Sequence, residues 1–375
     1  MPRDEQPDTS AKRARALGLA PGAGTPGPTN SITDVTGVRV GHVTIHEGTR
    51  LHTGVTAVVP DAVDVAGGRV PAGLFVGNGY GKLVGATQLA ELGEIETPIV
   101  LTGTLSAFRA ADALVTYVLD KPRNEAVESL NPVVGETNDG HLSDIRSRPI
   151  TEEHVLTALR SATSDPVEQG CVGAGTGTAA LGFKGGIGSS SRVVDLGDHG
   201  TCTVGVLAQT NFSGTLTVRG VPITPQEALG LDAPGLDTPG LDTPPPLRSP
   251  GTRPANDDEP QGNSCMLIVA VDAGLDARQL TRVATRAVFG LARAGSDFAQ
   301  GSGDYGIAFD TGQRRGIPDQ HLNPIFFAVQ EAVAEAVLDS LFLATTTEGF
   351  HGHTKHAVPL DFVLEKCSAA GALDR

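Results

Sequence analysis

In the second half of the chain the apolar positions follow two rhythms. Residues 266–271 and 305–309 are short apolar runs rich in β-branched and aromatic residues, a composition that predicts buried strands. Between them, Leu280, Val283, Ala284, Ala287, Val288 and Leu291 recur at i, i+3, i+4 spacing and stop at Gly295; this predicts a helix with one buried stripe. A second stripe, Phe326, Val329, Val333, Val337 and Leu341, follows Asn323-Pro324, a capping residue with proline in the first turn. The order after Ser264 is therefore β, α, β, α, and both stripes read as core packing. In the first half, strand-like runs at 38–45, 55–59 and 99–101 are bounded by Gly or Pro and alternate with helical stretches. Such alternation predicts a mixed α/β fold.

Two stretches break the rhythm. Residues 1–30 are polar and rich in Gly and Pro, so order is expected to begin at Ser31. Residues 230–244 hold three copies of a Gly-Leu-Asp-Ala/Thr-Pro pentapeptide, followed by Pro245, Pro246, Pro250 and Pro254. Five residues with a proline in each copy cannot form a stacking unit, so this reads as a flexible segment of about 30 residues leading up to Ser264. A stretch of that length inside one domain is functional or a linker.

Composition narrows the class. With 375 residues and 39% hydrophobic content, the chain can bury a sizeable core. A net charge of -15 argues against a nucleic-acid partner, which needs clustered cations to displace counterions. The charged N-terminus has no apolar signal core behind it, and no run approaches the length of a membrane span; a cytoplasmic protein without a membrane partner is expected. Cys171, Cys202, Cys265 and Cys367 lie far apart with no C-x-x-C pair, which fits reduced thiols. Cys265 reads as a strand residue rather than a nucleophile.

The flexible stretch ends at Gly262-Asn263-Ser264-Cys265-Met266, where the apolar run begins. If the Asn263/Ser264 bond breaks, Ser264 becomes a new N-terminus carrying both a hydroxyl nucleophile and an α-amine base. A strand preceded by a turn-forming Asn would look the same, so the junction alone does not decide.

Two other constellations are decoys. Gly175-x-Gly177-x-x-Ala180 with Asp195 matches the letter of a dinucleotide fingerprint, but no clear strand precedes it and Lys184-Gly185-Gly186 breaks any crossover helix. Close backbone packing near the site explains these glycines better. His351, His353 and His356 sit among Gly349 and Gly352 without the H-E-x-x-H helix of a zinc site, and read as a loop. No G-x-S-x-G elbow occurs in the chain.

Seven segments in order carry a family resemblance across residues 31 to 360. They are 32–42, Gly135-Glu136-Thr137-Asn138-Asp139-Gly140, Val172-Gly173-Ala174-Gly175-Thr176-Gly177, Lys184-Gly185-Gly186-Ile187-Gly188, Gln209-Thr210-Asn211-Phe212, the Ser264 junction, and Gly301-Ser302-Gly303-Asp304-Tyr305. The chain resembles the autoprocessed serine aminopeptidases of the L-aminopeptidase/D-esterase (DmpA) and β-peptidyl aminopeptidase family. The resemblance implies a four-layer α/β/β/α sandwich. It also implies a precursor that cuts itself into an α part (31–263, with 230–262 as its loose tail) and a β part (264–375) of one catalytic domain.

On this resemblance Ser264 is the nucleophile and the attacking group in self-cleavage after Asn263, and Ser302 and Asp304 support the nucleophile and its amine. Family members carry Glu where this chain has Asp304, one methylene shorter. Asn211 corresponds to the oxyanion donor. Glu136 corresponds to the carboxylate that holds the substrate's free ammonium, and Asn138 falls in the substrate pocket. The implied activity is release of N-terminal amino acids from small peptides, amides or esters, with D- or β-amino acyl groups included, by a homo-oligomer of αβ heterodimers. That mechanism calls for no cofactor and no metal. An amidase or acyltransferase of the same fold, as in the ornithine acetyltransferases, and a non-cleaving oligomeric binding scaffold remain the alternatives.

Overall fold

The computed structural model describes residues 12–63, 68–230, 263–312 and 316–373. In chain order its first half contains β1 (Val38–Glu47), β2 (Leu51–Pro60), β3 (Val70–Gly79), α1 (Ala86–Leu92), β4 (Glu94–Ile95), β5 (Ile99–Gly103), α2 (Ala107–Leu119), β6 (Val133–Thr137) and α3 (Glu152–Arg160). A small hairpin, β7 (Ala179–Ala180) and β8 (Phe183–Lys184), leads into β9 (Ile187–Asp195) and β10 (Thr201–Asn211). After them come β11 (Leu216–Val218), β12 (Val221–Ile223) and α4 (Pro225–Ala228). The chain re-enters at β13 (Asn263–Val271) and continues through α5 (Ala277–Ala294), β14 (Ser302–Asp310), α6 (Leu322–Phe342), β15 (Thr347–Glu348), β16 (Thr354–Lys355) and α7 (Leu360–Ala369).

Two mixed sheets result, one in the order β1-β2-β5-β6 and the other β4-β3-β14-β13-β10-β9. Each contains one parallel pair, β5 with β6 and β13 with β14. A parallel pair needs a crossover, and α2 and α5 supply the two.

Side-chain alternation along the strands separates the layers. In β13, Cys265, Leu267, Val269 and Val271 face α5 and α6 together with Val204 and Val206 of β10. Met266, Ile268 and Ala270 face the other sheet, meeting Val58, Ile99, Leu101 and Val133. The far side of that second sheet, through Val55, Ala57 and Val100, packs on Leu114 of α2 and Val155 and Leu159 of α3. Three apolar interfaces between successive layers make the expected α/β/β/α sandwich.

α5 is set by its caps and its stripe. The Asp276 side chain accepts from the Gln279 N–H in a capping box, and Gly295 closes the helix at φ 106°, a left-handed conformation that favours glycine. α6 begins at Leu322, so Asn323-Pro324 lies inside its first turn rather than ahead of it. Its stripe is also wider than the sequence pattern: Glu335, Asp339 and Ser340 are buried along with the apolar residues. The polar partners come from the N-terminal segment, β9 and β10, where Thr210 Oγ1 lies 2.9 Å from Ser340 Oγ. Packed chain extends back to Arg13 instead of starting at Ser31, with Ala14 and Leu19 fully buried. Arg13 pairs with Asp339 at 2.7 Å, Arg15 with Glu335 at 2.8 Å, and Arg192 with Glu335 at 2.6 Å. These cations let α6 carry carboxylates in the interior. Residues 1–11 and the pentapeptide repeats, apart from Gly230, lie outside the described residues.

Candidate active site

Strand register builds the site. Asn263 and Ser264 open β13, and Ser264 lies opposite Asn211 on the antiparallel β10 and opposite Gly303 on the parallel β14. Paired residues share a face of the pleat. The Ser264 side chain therefore points, like those of Met266 and Ile268, into the layer between the sheets, with Asn211 beside it and the bare backbone of Gly303 on its other side. Ser264 and Asn211 are both buried. The Asn211 carbonyl oxygen accepts from the Ala179 N–H at 3.1 Å, which orients the amide and makes its NH2 the donor end. Asn211 also lines a cavity of about 770 Å³ with Ser213, Ser296 and Asp297.

Glu136, on β6 of the other sheet, approaches Gly303 across Gly81. A Cβ on Gly81 would stand 3.2 Å from Glu136 Oε1 and 3.6 Å from the Gly303 Cα, so Gly81 lies in close contact with both the carboxylate and the β14 backbone. Glu136 Oε1 accepts from the Lys82 N–H at 3.0 Å, and Thr104 donates its hydroxyl to Oε2. The two sheets are joined just behind: Gln209 Nε2 donates to Thr137 Oγ1 at 2.8 Å and to the Ala174 carbonyl at 2.9 Å.

Ser302 and Asp304 lie on the opposite face of β14, where Asp304 is paired with Cys265. Ser302 Oγ donates to Asp304 Oδ1 at 2.7 Å, so the shorter carboxylate still reaches its serine. Asp304 Oδ2 is buried and has no hydrogen-bond partner among the described residues. Burial pushes the Asp304 carboxyl up to about 6 against the lowering pull of the Ser302 hydrogen bond, with a smaller push from Asp297. The Asn263–Ser264 peptide lies in β13 where Asn263 pairs with Ser302 of β14.

The comparison with known families settles the class. Residues 30–355 match the model of peptidase family S58. The chain belongs to peptidase family S58. This S58 peptidase is 37% identical over 373 residues to the β-peptidyl aminopeptidase BapA of Sphingosinicella microcystinivorans, covering 92% of this chain and 89% of that protein. It superposes on a protein from Pyrococcus horikoshii OT3 with a TM-score of 0.81 at 40% identity, covering 96% of this chain and 99% of that one. The L-aminopeptidase D-Ala-esterase/amidase of Ochrobactrum anthropi, a prototype serine aminopeptidase with a variant Ntn-hydrolase fold, matches with a TM-score of 0.81 at 32% identity, over 97% of this chain and all of that one. The family and these relatives make the protein a hydrolase of the aminopeptidase class.

Other sequence candidates of the S58 peptidase fall elsewhere. Asn138 lies just past β6, where its Oδ1 accepts from the Gly140 N–H at 2.8 Å and closes a local turn; no described contact ties it to Ser264. Its neighbour Asp139, not singled out by sequence, is fully enclosed, accepts from the Thr53 hydroxyl, and is pushed up to about 6 chiefly by burial. The glycine run 173–177 forms a 3-10 turn followed by the β7/β8 hairpin rather than a strand-turn-helix. A Cβ on Gly177 would stand 1.9 Å from the His52 carbonyl oxygen, which accounts for glycine there. His353 stacks on His141 and His351 sits in a short turn; among the described residues no group of three or more His, Cys, Asp or Glu is placed to hold a metal. Burial and then the Asp304 charge push the Cys265 thiol well up, so it behaves as a strand residue. Among the described residues no helix is long and apolar enough to cross a membrane.

Sequence reasoning missed Lys82, Thr104 and Ala179, which hold Glu136 and Asn211 through contacts that only the fold creates. Tyr305 was inside a quoted motif but had no assigned part; its hydroxyl donates to the Gly81 carbonyl at 3.1 Å and so braces the Glu136 wall.

Proposed function

We propose that the enzyme cuts itself between Asn263 and Ser264 and then works as an N-terminal-serine aminopeptidase. The observation that carries this reading is the register that sets Ser264, at the head of β13, directly between Asn211 and Gly303. In maturation, Ser264 Oγ attacks the Asn263 carbonyl carbon, the C–N bond breaks so that the amide becomes an ester and the protonated nitrogen leaves as the α-amine, and water then hydrolyses the ester to release the Asn263 carboxylate and the Ser264 hydroxyl.

In turnover the α-amine, whose ordinary pKa is near 8, takes the Ser264 hydroxyl proton as Oγ attacks the substrate carbonyl. The Asn211 NH2 donates to the oxyanion. The amine returns the proton to the leaving group, and water releases the acyl group in a second round. Ser302 and Asp304 support the amine from the other face, where Asp304 Oδ2 has a vacant acceptor position among the described residues. Glu136 binds the substrate's ammonium, which restricts cleavage to free N-termini.

Small peptides, amides and esters with a free amine are the substrates, including β- or D-amino acyl compounds as in the relatives' names. We place the mature enzyme in the cytoplasm as a homo-oligomer of αβ heterodimers, without nucleic-acid or membrane partners. The test compares an aminoacyl p-nitroanilide with its N-acetyl derivative. Cleavage of the free amine alone, lost in Ser264→Ala, is expected; equal cleavage of the two removes the amine-anchored reading.

A further inference from the structure

The Glu136 carboxylate already has an ammonium beside it. Lys82 touches it twice: its backbone N–H donates to Oε1 at 3.0 Å, and its Nζ lies 3.9 Å from the same oxygen. The two ends of this pair differ in setting, because the Glu136 side chain is 3% exposed whereas that of Lys82 is 43% exposed. Backbone contacts fix where the lysine starts. Tyr80 N–H donates to the Ser302 carbonyl at 3.1 Å, and Val84 exchanges hydrogen bonds with Val134 at 2.9 and 3.2 Å. The Lys82 backbone is therefore pinned on both sides while its four-carbon stem is free to swing into water.

We propose that Lys82 is a built-in competitor for the substrate's amino group, filling the ammonium position at Glu136 when the site is empty and leaving it when a free N-terminus enters. This rests on the reading of Glu136 as the ammonium anchor. A buried carboxylate without a cation is costly, so an internal counter-ion protects the empty site. The looser 3.9 Å contact of a half-exposed lysine is easier to displace than a bidentate pair. The backbone N–H of Lys82 and the Thr104 hydroxyl stay on the carboxylate throughout, so its orientation survives the exchange. Lys82 thereby sets the threshold for amine binding: only a substrate whose ammonium outcompetes a tethered one is held.

The experiment uses the purified mature enzyme and an aminoacyl p-nitroanilide, with Lys82→Met, Lys82→Gln, Lys82→Arg and Glu136→Gln beside the wild type. Neutral residues at position 82 keep the backbone bond and remove the competitor. KM is expected to fall by about two- to five-fold, the range of a partly exposed ion pair, with the gain in KM rather than kcat. Lys82→Arg, which can pair with the carboxylate bidentately and so competes more strongly, should raise KM. An unchanged or raised KM in both neutral variants, while Glu136→Gln raises KM, overturns the competitor and leaves the anchor standing. If Glu136→Gln leaves KM unaltered, anchor and competitor fall together.

Discussion

Asn211 and Asp304 are the two residues at which the chemistry is most exposed to test. The Asn211 Oδ1 accepts from the Ala179 N–H, which leaves the NH2 as the donor end that we propose meets the oxyanion. Asn211→Ala should lower kcat by about 100- to 1,000-fold with a much smaller change in KM, as for other oxyanion donors; a loss confined to KM would assign it to substrate binding instead. Asp304 is half-ionised near pH 6 because burial outweighs its Ser302 hydrogen bond. In the proposed mechanism it is neutral below that pH and above it supplies the negative charge that would steady the α-amine. Activity should therefore climb as pH rises through about 6, and Asp304→Asn should abolish that limb; an identical pH profile in the variant assigns the limb to another group.

At the scale of elements, the parts readable from sequence are those with one clean apolar face. The stripe of α5, its Gly295 stop and the run of β13 all follow from periodicity. β9 did not announce itself, because Ser189, Ser190, Ser191 and Arg192 are polar yet fully buried. Their partners come from remote chain: Ser189 Oγ donates to the Val206 carbonyl at 2.8 Å, Ser190 Oγ to the Ala332 carbonyl at 2.6 Å, and Arg192 pairs with Glu335. The breadth of α6 was hidden for the same reason, since its buried carboxylates are explained only by Arg13, Arg15 and Arg192. The candidate site was readable as motifs, whereas the opposite-face placement of Ser302 and Asp304, and the bracing by Lys82 and Thr104, depend on register and loop path. Two predictions belong here. Arg192→Met, which takes a fully buried partner from Glu335, should cost about 3 kcal/mol in urea unfolding; a loss within measurement error would mean that Arg15 alone compensates the carboxylate. Gly177→Ala, which drives a Cβ into the His52 carbonyl, should cost about 1–3 kcal/mol, and wild-type stability in that variant would show that the two backbones separate freely.

For the whole molecule, the sandwich brings residues from distant parts of one chain to one end of its sheets: Asn211 from β10, Ser264 from β13 and Gly303 from β14, with the carboxylate of Glu136 from β6 near Gly303 across Gly81. A cut before Ser264 would take only Asn263, the first residue of β13, from its strand and leave the other strands of both sheets whole. The two parts can then stay together through the same interfaces. The most direct measurement is the intact mass of the purified protein beside Ser264→Ala. The account predicts two species from the wild type, the smaller being residues 264–375 at about 12 kDa, and a single 38.5 kDa chain from the variant. A single 38.5 kDa chain from active wild-type enzyme would contradict self-cleavage and with it the α-amine as the catalytic base.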